Sequence, residues 1–516
     1  MEIAAVDPHE FLVKCLDAHR EGDRLRKEGS VGLANEYREA AEKGYNTLLN
    51  RTPTHASALR MLALLYQQRN FNGLCINLCI AALRNYEADK VEAKKSTDGK
   101  KEERLSILKN WMAETYAIMG TALRAENYRE MAETNFNKAI ELAPGNAEVM
   151  AAMAGLYIND HNPQKVIDLI QQAAKLKPGI EEEESWNLAL AHLELGHWHQ
   201  GFELYHKGVK GKERLNKNYW ASGQTPEWDG QLGQTVVVYG EQGIGDEIMF
   251  ASVLPEFIRD CKHVIFDCHP KLWETFKRSF PNIEIYPTRK VMPEWAFSRT
   301  DIEARIAIGS LPHFYRHKDS DFWQHDGYIF ADPAKIEYYR GRLGPGPNIG
   351  IAWQGGTKKT RFDLRSIAPR KLKSILERKA NFISLNYIPE AALEARELGI
   401  PHWEEIMDDL DARHALMMAC DLIITVNQSL VHEAGALGKQ CWTLTPYRCA
   451  WRYGLEGTKM IWYPSVTQFR QRENEPWSGA IARLAERLAS WEQRYAAGNS
   501  SGPWSEPLRS EAGAAD

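Results

Sequence analysis

The spacing of apolar residues changes character once along the chain. Up to about residue 215 they recur at the three- and four-residue steps of amphipathic helices. From about residue 235 they gather instead into short runs rich in Val and Ile. TVVVYG, HVIFDCH, IEIYP and ARIAIG come first; past the turn-rich LGPGPN come NIGIAWQGG, NFISLNY, DLIITVN and QCWTLTP. Such runs, alternating with amphipathic segments, predict buried parallel strands joined by helices, because a strand covered on both faces has no polar side to show. Two blocks on either side of a Pro/Gly hinge predict two Rossmann-like lobes. The expected organisation is a helical domain over 1–215 with a charged insertion at about 90–104, and a linker over 216–234. A first lobe over 235–343, a second over 344–495 and a disordered tail over 496–516 follow.

The helical part repeats itself. Pro144 and Pro178 lie 34 residues apart, and the same step relates Ala132 to Val166, Phe136 to Ile170 and Ala139 to Ala173. Upstream, Ala41, Tyr45 and Leu48 step to Cys75, Cys79 and Ala82; downstream, Tyr205 and Gly208 follow after 35. A helix pair cannot bury its apolar stripe alone, so such units stack into a superhelix with a concave groove. The columns resemble tetratricopeptide repeats, with a small residue where helices cross and a proline ending the second helix. The resemblance implies a groove that holds a peptide or another protein; a rigid spacer, or packing onto the second domain, is the plainer reading. The segment ADKVEAKKSTDGKKEER breaks the period and, being charged and turn-rich, is expected as a solvated insertion.

Composition narrows the functional classes. The 516 residues exceed what one core can hold, and 44% apolar residues with 16 Trp, 20 Tyr and 16 Phe suit a globular enzyme. A net charge of −5 supplies no global field for nucleic acid, so none is expected as a partner. The eight cysteines include no CxxC pair, which points to a reducing compartment; Cys75 and Cys79 fall on core columns and read as small buried hydrophobes rather than a metal pair. The opening MEIAAVDPHEFLVK has no signal-like apolar run, and no later stretch reaches membrane-spanning length. A cytoplasmic protein is expected.

The chemistry gathers at strand ends. TVVVYG runs into GEQGIGDEIMFASVLPEF, a glycine-rich turn opening a helix. Gly240, Gly243 and Gly245, with Asp267 at the end of the next strand, invite comparison with a dinucleotide fingerprint and so with a dehydrogenase. The spacing, however, is G-x-x-G-x-G rather than G-x-G-x-x-G. Asp246 and Glu247 follow at the helix start, where two carboxylates would repel a pyrophosphate. A carboxylate in that place can instead take a proton from an incoming hydroxyl. Asp246 is therefore the candidate catalytic base, with a helix cap as the plainer role, and Gln242, Gly243, Gly245 and Glu247 form the candidate acceptor loop.

The second block has the opposite polarity. AWQGGTKKTRFDLRS places Lys358, Lys359, Arg361 and Arg365 within eight residues, after Trp353, Gln354 and the pair Gly355 and Gly356. Cations beside flexible backbone at a strand end are what a diphosphate needs; a surface charge cluster is the alternative. DLIITV ends at Asn427, and the backbone N–H groups of Gln428, Ser429 and Leu430 open a helix and form a second anion site, with His432 one turn further in. A donor diphosphate on the second lobe would then face an acceptor hydroxyl activated from the first.

The ordered motifs GEQGIGDEIMFASVLP, GIAWQGG, FISLN, NQSLVHEAGALGK, and TPYRCAWRYG followed by WYPSVTQFRQ resemble the heptosyltransferase-like glycosyltransferases, in the branch fused to tetratricopeptide repeats. The resemblance covers roughly residues 100–490. It implies a GT-B fold, a nucleotide-sugar donor, inversion at the anomeric carbon, and no essential metal or other cofactor. It also implies that the acid matching Asp246 is the base and that the NQSLVH loop with His432 holds the diphosphate. Asn386, Asp409, Tyr447, Trp451 and Arg452 join the candidates on the same ground. Three positions depart from the pattern: Asn427 stands where Asp is usual, Glu433 where an apolar residue is, and Ala450 where an acid precedes the Trp-Arg pair. The run DDLD at 408–411 mimics a metal-binding acid pair but opens a helix, so a cap and a sugar contact near Asp409 are expected.

Repeats plus transferase are similar in architecture to protein O-glycosyltransferases, including those acting on flagellin. This implies transfer of a sugar to a Ser or Thr hydroxyl of a protein held in the repeat groove. Transfer to a lipid or polysaccharide core with the repeats as recruiter, and a non-catalytic scaffold, are the alternatives; self-association is left open.

Overall fold

The computed structural model describes residues 7–28, 30–97, 99–158, 160–208, 219–222, 225–289, 294–356 and 361–497. Lys358, Lys359 and all but the first two residues of the expected tail at 496–516 lie outside them. The chain divides into two compact units. One comprises Met1–Asn216, Arg316–Lys318 and Ala450–Leu455; the other comprises Lys217–Tyr315, Asp319–Cys449 and Glu456–Asp516.

The first unit is an array of helix pairs: Pro8–Lys27 with Val31–Arg51, Ala56–Gln68 with Asn72–Lys95, Lys101–Ala125 with Arg129–Leu142, Ala147–Ala154 with Pro163–Leu176, and Ser185–Glu194 with Trp198–Lys207. The columns read from the sequence fall on the second helix of each pair. Ala41 and Tyr45, Cys75 and Cys79, Ala132 and Phe136, and Val166 and Ile170 are all fully buried. Between the helices of the last four pairs the backbone passes through one left-handed residue, Asn70, Asn127, His161 and Gly196 in turn. Asn and Gly enter that region at lowest cost, which is why the turn recurs with the period.

The charged insertion is mostly helical, broken only around residues 96–100. From Asn70 to Asn127 is 57 residues, 23 more than the 34 between Asn127 and His161. The extra residues lengthen the two helices around them, to 24 residues in Asn72–Lys95 and 25 in Lys101–Ala125, against 14 in Arg129–Leu142. Lys, Glu and Ala are strong helix formers, and their charges meet one turn apart, Lys90 with Glu87 at 3.1 Å and Lys95 with Glu92 at 2.9 Å. Local helix propensity outweighs the lack of an apolar stripe.

In the second unit, β1 (Thr235–Tyr239), β2 (His263–Asp267), β3 (Glu284–Tyr286) and β4 (Ala304–Ala307) form a parallel sheet in the order β3-β2-β1-β4. The second lobe contains β5 (Asn348–Ile351), β6 (Asn381–Ser384), β7 (Leu422–Val426), β8 (Cys441–Thr445), β9 (Lys459–Met460) and β10 (Tyr463–Arg470). Their order is β6-β5-β7-β8-β10-β9, with only β9 antiparallel. The apolar runs are strands because both faces are covered: all five residues of β1, β7 and β8 are buried. Helix Trp477–Ala496 packs Ile481, Leu484, Leu488 and Trp491 onto the second sheet.

Two features were not expected. β9 and β10 escape the hydrophobic pattern because Gln468, fully buried in β10, has its amide satisfied by the Lys459 carbonyl at 2.9 Å and the Thr445 hydroxyl at 3.3 Å. Helix Pro333–Arg342, read as the end of the first lobe, packs on Leu410–Ala419 of the second, with Lys335 2.9 Å from Asp411. The two lobes otherwise follow the α/β plan, so the chain is a helical repeat array followed by two Rossmann-like lobes. Among the described residues no helix is long and apolar enough to cross a membrane.

Candidate functional site

In open parallel sheets, ligand sites form beyond the strand ends where the winding reverses, because the loops on either side diverge and leave a crevice. The strand orders put that reversal between β1 and β4 in the first lobe and between β5 and β7 in the second. The turn after β1 carries Gln242, Gly243, Gly245 and Asp246. After β5 come Trp353 to Gly356, with Arg361 beyond them, and after β7 come Asn427 to His432. Topology thus converges on the loops that the sequence singled out.

These loops meet across the lobes. Helix Ile244–Phe250 of the first lobe crosses helix Ser429–Ala436 of the second at Gly245, where an added Cβ would lie 3.1 Å from the His432 ring and 3.4 Å from Ser429 Cα. A side chain there would have to push the helices apart. Gly245→Val should therefore lose about 1–3 kcal/mol of stability by overpacking, read as an earlier midpoint in urea unfolding. Asp246, the next residue, is half-buried, and its carboxylate curls toward Gly243, 3.2 Å from where a Cβ would stand there.

On the second lobe, His432 is buried, and its Nδ1 lies 3.1 Å from the Tyr463 hydroxyl. Gly435, one turn on, leaves the space that the Tyr463 ring fills. The Gly355 loop rests on the Gln428 turn, since a Cβ at Gly355 would stand 2.8 Å from Gln428 Cβ. Gly355 N–H donates to Ser366 Oγ at 3.3 Å. Gln354 and the Trp353 indole both donate to the Glu394 carboxylate, at 3.0 and 2.8 Å, and Asn386 Oδ1 accepts from Trp353 N–H at 3.2 Å. Arg361 stands in a left-handed conformation at the start of the short helix Phe362–Arg365. Gln428 is extended and donates to Thr425 Oγ1 at 2.8 Å, its own Oε1 having no partner among the described residues. Leu430 is fully buried. Tyr447 is half-buried, its N–H donating to Gln471 Oε1 at 3.4 Å.

Several candidates are placed otherwise than expected. Trp353 is fully buried in the core of its sheet, so only its backbone faces the loop. Asn427 is buried as the acceptor of the Thr443 and Thr445 hydroxyls, at 2.9 and 3.0 Å, a role that its side-chain oxygen fills without bringing a charge into the sheet. Trp451 belongs to the first compact unit, where its buried ring meets Phe202 and Tyr205 edge-on, and Arg452 stacks over it. Glu247 does not line a loop surface: its side chain is fully buried and accepts from His269 N–H at 2.6 Å and from Arg289 at 3.1 Å. Lys358 lies outside the described residues.

The acidic run at 408–411 is engaged with cations from several elements. Lys271 reaches Asp408 at 3.0 Å, and Asp409 caps the next helix through Ala412 N–H and meets Lys335 at 3.2 Å. Asp411 receives both arms of Arg278 at 2.8 and 3.1 Å. Lys271 and Arg278 come from the first lobe, so the run ties the lobes together. Beside it, fully buried Thr275 bonds His414 Nδ1 at 2.9 Å. Burial holds His414 down to about 4, so this imidazole stays neutral through the physiological range.

Sequence reasoning missed the support beneath the turn after β7. Arg413 donates through two nitrogens to Glu433, both at 2.8 Å, and stacks under the Tyr387 ring at 4.8 Å. The Ser429 hydroxyl donates to the Tyr387 hydroxyl at 3.4 Å and helps hold the Glu433 carboxyl down. The signal was present: Glu433 stands out as a charge amid the apolar VHEAGAL.

No protein-family model matches the chain. The curated Protein FlbA of Caulobacter vibrioides is 27% identical over 345 residues, 61% of this chain; the chain spans 57% of that relative's length. Solved structures include heptosyltransferase II of E. coli at 11% identity, covering 51% of this chain and all of that one, TM-score 0.37. An O-GlcNAc transferase mutant of Thermobaculum terrenum covers 87% of this chain and 95% of its own at 12% identity, TM-score 0.29. YrrB, a repeat protein with an unusual peptide-binding site, covers 38% of this chain and 84% of its own at 13% identity, TM-score 0.23. The chain is similar to repeat proteins and to glycosyltransferases of the heptosyltransferase type.

Proposed function

We propose that this chain is an inverting, metal-independent glycosyltransferase that moves a sugar from a nucleotide-sugar to a hydroxyl of a protein acceptor recruited by the repeat array. The observation that carries the reading is the crossing at Gly245. It brings the acidic turn after β1 and the anion-binding turn after β7 to one place, each at the reversal of its own sheet.

In this reading the acceptor oxygen attacks the anomeric carbon as Asp246 takes its proton, and the bond to the diphosphate breaks on the opposite face. The departing charge is met by Arg361, Lys358, His432 and the first-turn amides of Gln428, Ser429 and Leu430. Such donors stabilise developing charge without reorganising. The Tyr463 hydroxyl, at 3.1 Å from His432 Nδ1, orients the imidazole. Asn386, Gln354 and Gly355 shape the donor side, and Gln242 and Gly243 the acceptor side.

The acceptor class is tested by incubating the full chain with isotope-labelled nucleotide-sugars and separate protein and lipid-glycan fractions. Label in protein, released by mild alkali as an O-linked sugar is, supports the proposal. Label confined to the lipid-glycan fraction replaces the acceptor, and label in neither fraction with any donor overturns the enzyme reading.

A further inference from the structure

The buried pair behind Asp246 is unused by the mechanism above. Glu247 lies deep in the first lobe, its side chain wholly out of solvent, and Arg289 beside it has a side chain only 6% exposed. The Glu247 carboxylate accepts from His269 N–H, at the start of the turn after β2, and from Arg289, beyond β3. It also fills the space beside Gly240, just beyond the end of β1, where any Cβ would collide with it. The second arm of Arg289 donates to the Gln242 carbonyl, inside the glycine-rich turn itself. One carboxylate therefore gathers the chain beyond three neighbouring strands, and its guanidinium partner grips the turn that carries Asp246.

The turn needs such a grip. Residues 240–245 include three glycines, whose backbone freedom must be restrained for a half-exposed carboxylate to hold one position. Misplacement by about 1 Å costs on the order of 10²-fold in rate when a reacting group must be aligned.

We propose that Glu247 and Arg289 are positioning residues which, as an ion pair, hold the glycine-rich turn in the shape that presents Asp246. The inference rests on the reading of Asp246 as base. The brace works only while Glu247 is ionised. Burial raises its carboxyl to about 7, against the opposing pull of Arg289 and the His269 N–H, with Asp267 adding to the rise. Among the described residues the titratable groups facing it are Arg289, Asp267 and Cys268, and burial raises the Cys268 thiol well above its ordinary range. As pH falls through about 7, protonation of Glu247 removes its half of the pair, Arg289 relaxes, and the turn loosens.

The test is kcat against pH for the full chain, wild type and Glu247→Gln, joined to hydrogen exchange at residues 241–246 corrected for the intrinsic pH dependence. Wild type should show an acid limb near pH 7 in kcat and a matching loss of protection. Glu247→Gln should lose both limbs, with kcat down about 10²-fold and donor KM unchanged. Arg289→Lys, which keeps the charge but not the fork, should lower kcat while retaining the limb. If kcat of Glu247→Gln keeps the wild-type value, or if protection of the turn is indifferent to both pH and the substitution, the proposal is overturned. The exchange readout needs no substrate, so a wild-type chain without transferase activity would sink the functional reading while the brace is still judged by its protection.

Discussion

Asp246→Asn lowers turnover about 10²- to 10⁴-fold and leaves nucleotide affinity where it was. The amide keeps the size of the carboxylate and its place one residue from the Gly245 crossing, so the helices pack as before. What disappears is the ability to take a proton as the acceptor oxygen attacks. Because the donor diphosphate is assigned to the other lobe, its binding has no reason to change. Steady-state kinetics paired with calorimetric titration of the nucleotide separates the two quantities. Turnover within threefold of wild type would remove Asp246 from the mechanism.

Glu433→Ala costs about 3–5 kcal/mol of stability, since removing one partner of a buried pair strands the other. Arg413 has a side chain 3% exposed and Glu433 one that is fully buried, so the stranded guanidinium stays out of bulk water. Replacing both members, Glu433→Leu with Arg413→Met, should recover most of the loss, because a matched apolar pair carries no desolvation cost. Burial pushes the Glu433 carboxyl up, but Arg413 and His414 outweigh it and leave it below its ordinary value of 4.5. The contribution of the carboxylate is therefore complete above that value and is lost as pH falls through the lower folded one. Urea unfolding of the three chains at pH 7 and pH 4 checks both statements. An unstable double variant at pH 7 would contradict the account of the pair.

The parts legible in the sequence were those set by burial and by period. Eight strands and the repeat columns follow from which residues must avoid water, and a 34-residue step aligns Ala41 with Cys75 and Ala132 with Val166. The rest was hidden for identifiable reasons. β10 conceals itself because Gln468 is buried yet satisfied by its neighbours. The charged insertion is helical because propensity and one-turn ion pairs act without an apolar stripe. In the site, the turns were visible as glycine and charge patterns, but not the side chains beneath them. Arg289 lies 42 residues from Glu247, and Arg413 lies 20 from Glu433; only the folded sheets bring them together. Trp353 and Trp451 were named with their motifs, but their rings are buried in packing.

The turns after β5 and β7 are expected to form one nucleoside diphosphate site facing the acidic turn. Thermal unfolding of the full chain across nucleoside diphosphates and CMP tests it most directly. One nucleotide should stabilise the chain by about 3 kcal/mol at one hundred times its Kd, and His432→Ala should abolish the shift. If every nucleotide leaves the unfolding midpoint unmoved, or the shift survives His432→Ala undiminished, the site is not where this account puts it.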